Sequence, residues 1–553
     1  MRDFVTDKKK RNLIILSSLA FLVICHSYRW MNTMYSHDSI LILQWDRDWQ
    51  ISLGRIFNPV YVWLRGFILA PMNIGVLAGI FIIISAAFVI YILKLKRNTS
   101  IVLCCGLLAT FETIAFVNAV FLLSLDLDML ALLFSVLAAY FLTGKQSPIR
   151  YAAGVICITI QLGLFQSYIE VTILLICLEI LREVLEGGDP KKLFLKGLRC
   201  IGFLILGGLL YYICLKVVMG CTGIVSTTKA NGLAKMNDLT IPYAFSLAKD
   251  AYKFTLRYLF VDSMIYHRVI SRWIYRALWI FSLSGITYIA IKKRLGKEQI
   301  ALIVFLLLIM PLGGNCVYIL SLGFKHSLMN YAFVFFSIMA VMVFDMLASD
   351  LGNKAAPLPA AAQAGTDDRT ILQESEGAAA KGKRRDLAYY LPYAIPVLCA
   401  VLIFNHILFA NQWYTRTDLN AQAGTAFMTR VITDIEDVEG YEAGKTPVMI
   451  LGHIDDCPAA YHEEGFDIAY DPFVGSTHNH AISYYQTYLN YFHYVMGYSV
   501  NLVPLSEAVK HIDDPEIKAM PIYPSLGAVK MINGVLVVRL SEDLRPEELR
   551  WDN

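Results

Sequence analysis

Between Tyr35 and Pro59 the chain reads YSHDSILILQWDRDWQISLGRIFNP, and this one stretch carries Asp38, Asp46, Asp48, Arg47 and Arg55. A carboxylate of this kind can take a proton from a hydroxyl as general base. A guanidinium can hold a phosphate through paired, charge-assisted hydrogen bonds. Asp38, directly after His37, is the candidate base; the competing reading is a helix cap or a topological charge. Arg55 is the candidate phosphate ligand, with Gly54 letting backbone approach closely. Asp46 and Asp48 are candidates for binding a sugar or an acceptor, and Arg65 is a second candidate cation.

Further polar residues punctuate the apolar runs. Ionisable groups inside a membrane span are functional hypotheses by default, because each costs about 2.5–3.5 kcal/mol on insertion scales. Asp126 and Asp128 are such a pair, read as sugar- or acceptor-binding. Glu112 and Glu170 are balanced between function and a structural hydrogen bond. Lys325 and His326, beside Asn330, are candidates for neutralising a leaving phosphate, against the reading of a solvated turn. Toward the C-terminus His453, Asp455, Asp456, Cys457, His462, Glu463, His478 and His480 cluster in sequence, but their spacing fits no zinc or calcium signature. Walker, GxSxG and HExxH patterns are not found.

The elements that must position these groups are membrane helices. Hydrophobic residues make up 57% of the 553 and charged residues 17%, where a soluble chain is about a quarter charged. A span needs about 20 apolar residues. Eleven segments qualify: 12–33, 72–93, 100–117, 121–142, 151–166, 168–184, 200–219, 274–292, 299–320, 331–348 and 389–410. The segment 57–69 reads as an interfacial helix that breaks at Pro71. Basic clusters at Lys8–Arg11, Lys94–Arg97, Lys145–Arg150, Arg182–Arg199, Lys292–Lys297 and Lys381–Arg385 all fall on one side of this arrangement. The excess of Lys and Arg marks that side as cytoplasmic. The N-terminus is then cytoplasmic and the C-terminal domain extracytoplasmic. Bulky Tyr28, Arg29 and Trp30 after Cys25 make the first span a retained anchor rather than a cleaved signal. The cysteines lie mostly inside apolar runs as small core residues.

The expected organisation is a membrane core over 1–349 with external loops 34–71 and 220–273. A cytoplasmic linker follows over 350–386, rich in Ala, Gly and charge and expected to be disordered. A last transmembrane helix, 387–410, leads to an extracytoplasmic α+β domain over 411–553. Within the second loop, apolar residues at 243, 247, 251, 254 and 258 recur at helical spacing beside Lys and Arg, which predicts a basic amphipathic helix. In the C-terminal domain Asn533-Gly534 between two β-prone runs predicts a hairpin. Pro447–Gly452 reads as a buried strand, and Ser506 as the N-cap of a short helix to His511. The chain shows no basic tract of the nucleic-acid kind and no internal repeat.

Several of these fragments together resemble the type II glucosyl transferases, the serotype-converting enzymes that modify bacterial O-antigen. HDS followed by WDRDWQISLGR is similar to that family's acidic pair after the first span and its later Gly-Arg-Pro. Here His37-Asp38 stands for the acidic pair, and Gly54-Arg55 is followed by Ile56. LGLFQSYIEV at 162–171 resembles a YQSY-like motif with Phe165 in place of Tyr, and 521–540 resembles the closing hairpin. The resemblance implies a GT-C-like fold, and with the apolar runs this makes a polytopic α-helical protein of about eleven transmembrane helices in the bacterial cytoplasmic membrane. It implies a polyprenyl-phosphate-linked sugar, glucose, as donor. The acceptor would be a surface polysaccharide or lipid-linked glycan at the outer face.

On that basis Asp38 deprotonates the acceptor, Arg55 meets the leaving phosphate with the basic 229–272 loop behind it, and the anomeric configuration inverts. Gln166 and Tyr168 line the sugar pocket. The C-terminal domain covers that pocket and helps to choose the acceptor. A lone lipid phosphate, unlike a nucleoside diphosphate, creates no need for an obligatory metal cofactor. The alternative from another class is a transporter or flippase for a polysaccharide or lipid-linked sugar, which would alternate access between two halves. Repeated halves and paired broken helices are not legible in the sequence.

Overall fold

The computed structural model describes residues 7–36, 40, 46–66, 70–227, 238–261, 269–352, 394–459, 482, 484–546 and 549. Eight helices among them are long and apolar enough to cross a membrane. They are Lys8–Met31, Pro71–Ile92, Asn98–Val120, Leu122–Thr143, Pro190–Thr222, Ile270–Lys292, Tyr331–Ser349 and Ala394–Glu436. Three shorter helices, Pro148–Leu164, Ile169–Leu185 and Lys297–Gly313, occupy the remaining segments expected to span. Two helices form the centre: the apolar stretch of Asn98–Val120 is 94% buried and that of Tyr331–Ser349 is 89% buried. Pro190–Thr222 is peripheral at 17%.

Two expectations within the membrane core change in detail. The third expected span is two helices, Asn98–Thr110 and Glu112–Val120, because Phe111 adopts an extended backbone with ψ 138°. Glu112 thus opens the second half, where it accepts a hydrogen bond from Tyr258. The interfacial helix is Asn58–Arg65, and it stops at Gly66, whose φ of +82° is left-handed. Pro71 begins the next helix instead of breaking this one.

Polar ties sort the bundle into two ends. At one end the amides of Lys96 and Arg97 donate to Asp345, and Lys196 pairs with Glu179 and Glu183. Gln299 there donates to Gly188 O. These are the ends that carry the basic clusters. At the other end Arg29 donates to Asn118 O at 2.9 Å and Met34 O at 2.8 Å, and Trp30 Nε1 donates to Asn118 Oδ1. Gly75 lies under the Trp30 ring, where a Cβ would come within 2.4 Å. The candidate site residues among those described lie toward this second end.

The last long helix runs unbroken from Ala394 to Glu436, straight through position 411. Its far part joins the C-terminal domain through Phe427, Met428, Val431, Ile432 and Ile435, which share a core with Val448, Ile450, Leu536 and Val538. The domain is built on a four-stranded sheet in the order β2-β1-β4-β3, with β1 Pro447–Leu451, β2 Asn501–Leu502, β3 Val529–Ile532 and β4 Val535–Arg539. β1 is parallel to β2 and β4, and β3 and β4 form the expected hairpin. Asn533 and Gly534 turn it with φ of +49° and +81°, the two positive values a type I′ turn requires. A second core on the opposite face holds Met449, Leu451, Val537, Ala508, Ile517 and Met520. Coverage on both faces explains why VMIL and VLVV are continuously apolar.

The expected cap at Ser506 is not made. The short helix Leu505–Ala508 begins two residues earlier, after Pro504, and continues as a 3₁₀ turn to His511. Most of the linker expected over 350–386 lies outside the described residues; the helix before it, Val334–Gly352, reaches into its first residues.

Candidate active site

Asp38, the expected base, lies outside the described residues. Its described neighbours attach to different parts of the molecule. Ser36 is buried and hydrogen-bonds to Val120 O in the membrane bundle. Ile40 is fully buried in the core of the C-terminal domain, where its carbonyl accepts from Asn490 Nδ2 at 3.1 Å.

The Arg55 turn follows. Asp46 caps the helix Arg47–Ser52 by accepting from the amides of Asp48 and Trp49. Asp48 pairs with Arg47 at the surface, with both side chains more than half exposed. Asp46 and Asp48 are therefore a cap and a surface charge, separate from the Arg55 cluster. Gly54 reverses the chain with φ +80°, and the Arg55 amide closes the turn on Gln50 O at 3.0 Å. The guanidinium lies over the Phe165 ring at 4.6 Å, a geometry favourable for cation–π attraction.

Gln166 is half-buried and tied to the Arg55 turn. Its Nε2 donates to Leu53 O and to Tyr211 Oη, both at 3.1 Å. The same turn docks through Phe57, whose amide donates to Gly163 O at 2.9 Å. A Cβ on Gly163 would come 2.3 Å from the Phe57 ring. Gly163→Ala is therefore expected to destabilise the protein by about 1–3 kcal/mol through overpacking. The check is the melting temperature of the purified chain; an unchanged value would contradict this docking.

Asp126 and Asp128 stand in the first turn of the helix Leu125–Thr143. Residues two apart on a helix do not face the same way, and these two part company. Asp126 is fully buried and bound by Arg65 Nη1 at 2.6 Å and by Tyr61 Oη at 2.9 Å. Arg65 also donates to Leu123 O. This pair fastens the helix Asn58–Arg65 to the bundle and uses Arg65, the second candidate cation. Asp128 is also buried, without a share in the Arg65 pair, and lies within electrostatic reach of Arg55, Asp126 and Tyr168. Tyr168 is buried between Phe165 and Tyr331, and its hydroxyl has no hydrogen-bond partner among the described residues.

Lys325 and His326 occupy neither a solvated turn nor an open phosphate site. Lys325 Nζ is buried 3.3 Å from Glu170 Oε2 and 3.1 Å from Met329 O, and it lies over the Phe333 ring. Glu170 accepts a second bond from the Val317 amide at 2.9 Å. Removing one partner of a buried pair leaves an uncompensated charge, so this pair reads as a structural lock across the bundle. The His326 ring is held by Phe116 and Phe121, and its Nδ1 accepts from the Leu328 amide.

The arrangement that results is a cluster of buried Asp128, Phe165 and Tyr168 with half-buried Arg55 against it, braced by Gln166 and Tyr211. It offers one cation, one carboxylate and one uncommitted hydroxyl, which suits a phosphorylated sugar. Of the C-terminal cysteine–histidine set, Cys457 is buried and donates to Tyr523 O at 3.3 Å, and His462, Glu463, His478 and His480 lie outside the described residues. Among the described residues, three or more His, Cys, Asp or Glu do not gather anywhere in a way that could hold a metal ion.

The family model described as Glucosyl transferase GtrII matches residues 28–344. The chain belongs to this family. The match covers more than half the chain and contains every member of the cluster; it ends before the last long helix and the C-terminal sheet. No curated protein and no solved structure matches the chain. Membership in the GtrII family implies glucosyltransferase activity, in agreement with the resemblance of the HDS, GR and FQSY fragments. Tyr211 and Tyr61, which the motifs did not flag, both belong to the matched region.

Proposed function

We propose that the protein transfers glucose from a polyprenyl-phosphate donor to a surface polysaccharide or lipid-linked glycan at the outer face of the bacterial cytoplasmic membrane. The chain crosses the membrane eleven times with its N-terminus inside. The end of the bundle that holds the cluster faces outward, together with the C-terminal domain. The observation that carries this reading is the convergence of Arg55 and Asp128 beside Phe165 and Tyr168, inside the region shared with a glucosyl transferase family.

In the proposed reaction the Asp38 carboxylate accepts the proton of an acceptor hydroxyl. The hydroxyl oxygen forms a bond to the anomeric carbon as the bond from that carbon to the phosphate oxygen breaks. The electron pair leaves with the lipid phosphate, and a single displacement inverts the configuration. Arg55 meets the charge that develops on the leaving oxygen, the form of electrostatic stabilisation that contributes most when donors are fixed in advance. Asp128 and Tyr168 hold hydroxyls of the transferred sugar. Asp48, exposed beside Arg47, is left to the acceptor.

The test is transfer by the purified full chain in detergent from labelled polyprenyl-phosphate glucose. The label is expected to leave the lipid for a glycan acceptor without any membrane gradient. A label that stays on the lipid in the presence of acceptor would overturn the proposal.

A further inference from the structure

We infer that Tyr211 is a positioning residue for Arg55: its hydroxyl joins the Gln166 amide in a latch on the carbonyls of Leu53 and Gly54 that sets the guanidinium over Phe165 and toward Asp128. The inference rests on the reading of Arg55 as the group that meets the donor phosphate.

The helix Pro190–Thr222 is capped by Asp189, which accepts from the amides of Lys191 and Lys192, and ends at Gly223 with φ +72°. Its buried residues are Leu193, Cys200, Gly207, Tyr211 and Leu215. Spacings of seven and four put them on one stripe, and Tyr211 is the one side chain in that stripe with a hydroxyl. Its neighbour Tyr212 is 52% exposed. Depth is fixed one turn earlier. A Cβ on Gly207 would come 2.6 Å from Ile158, and the Gly207 carbonyl accepts from Thr159 Oγ1 at 3.2 Å. This close approach brings the Tyr211 ring against the Arg55 turn.

A phenol both donates and accepts, and Tyr211 does both here. It donates to Gly54 O at 2.9 Å and accepts from Gln166 Nε2 at 3.1 Å. The second Gln166 proton reaches Leu53 O. Gln166 is itself adjacent to Phe165, whose carbonyl accepts from Gln161 Nε2 at 2.9 Å. The turn that carries Arg55 and the ring it stacks on are therefore held by one hydrogen-bonded chain. Arg55 is long and loses much rotamer freedom when fixed. Holding its backbone before the donor arrives removes part of that cost from binding.

The first measurement does not depend on activity. Arg55→Cys is made in a chain where the exposed Cys221 is replaced by Ser, and its modification by a water-soluble thiol reagent is timed. Adding Tyr211→Phe is expected to speed labelling about fivefold, the effect of one net hydrogen bond. An unchanged rate overturns the latch. The second measurement is kinetic. Tyr211→Phe is expected to lower kcat/KM for the polyprenyl-phosphate donor by a similar factor, to leave the acceptor KM unchanged, and to have no further effect in an Arg55→Ala chain. An equal fall in both backgrounds also overturns the latch. Should Arg55→Ala itself leave donor kinetics unaltered, the phosphate assignment fails while the labelling rate still decides the role of Tyr211.

Discussion

Asp38→Asn is expected to lower kcat by about two to four orders of magnitude, the usual range for loss of a general base, while folding and donor binding persist. The substitution keeps the size of the side chain and removes its basicity. The expectation follows from the chemistry the family implies and from where the flanking residues attach. Ser36 is bonded to the bundle at Val120 and Ile40 is seated in the C-terminal core, so position 38 stands in sequence between residues of the membrane bundle and of the C-terminal domain. Turnover by the purified variant and its affinity for a polyprenyl-phosphate sugar are the two readouts. Near-normal turnover would remove Asp38 from the mechanism.

Arg55→Ala is expected to cost about a hundredfold to a thousandfold in kcat/KM, the range seen when one preorganised donor to a developing negative charge is removed. Arg55→Lys is expected to recover part of this, because it keeps the charge and loses the planar fork and the stacking on Phe165. The prediction separates Arg55 from the other cations of the same end. Arg65 and Lys325 are buried with their carboxylates, Asp126 and Glu170, whereas Arg55 is half-buried, so the loss of Arg65 or Lys325 would be felt first in stability. Kinetics of the purified variants, with melting temperature as control, make the comparison. An Arg55→Ala chain with normal kcat/KM would leave the leaving group without the cation assigned to it.

Much of this architecture was legible because it follows from local rules. Apolar run length located helices at all eleven expected segments, and Asn533-Gly534 specified its turn by the need for positive φ. The parts that were not legible depend on choices between distant residues. Lys325 looked available because nothing near it in sequence opposes it; its partner Glu170 arrives from another helix. Asp126 and Asp128 looked like one pair, but helical geometry sends them to different partners, Arg65 and Arg55. Phe111 breaks its helix without Gly or Pro, in a place where Glu112 and Tyr258 meet. The last helix was cut at 410 where its hydrophobicity falls, although Phe427, Met428, Val431, Ile432 and Ile435 continue at helical spacing toward a second core. Tyr211 gave no signal because its helix is otherwise turned outward, and only the approach at Gly207 brings that one hydroxyl inside.

The measurement closest to the centre of this account is the side of the membrane reached by position 38. Asp38→Cys, in a chain with Cys221 replaced by Ser, is exposed to a membrane-impermeant maleimide in right-side-out vesicles. The account predicts labelling from the outside without permeabilisation. Labelling that requires access to the cytoplasmic side would contradict it.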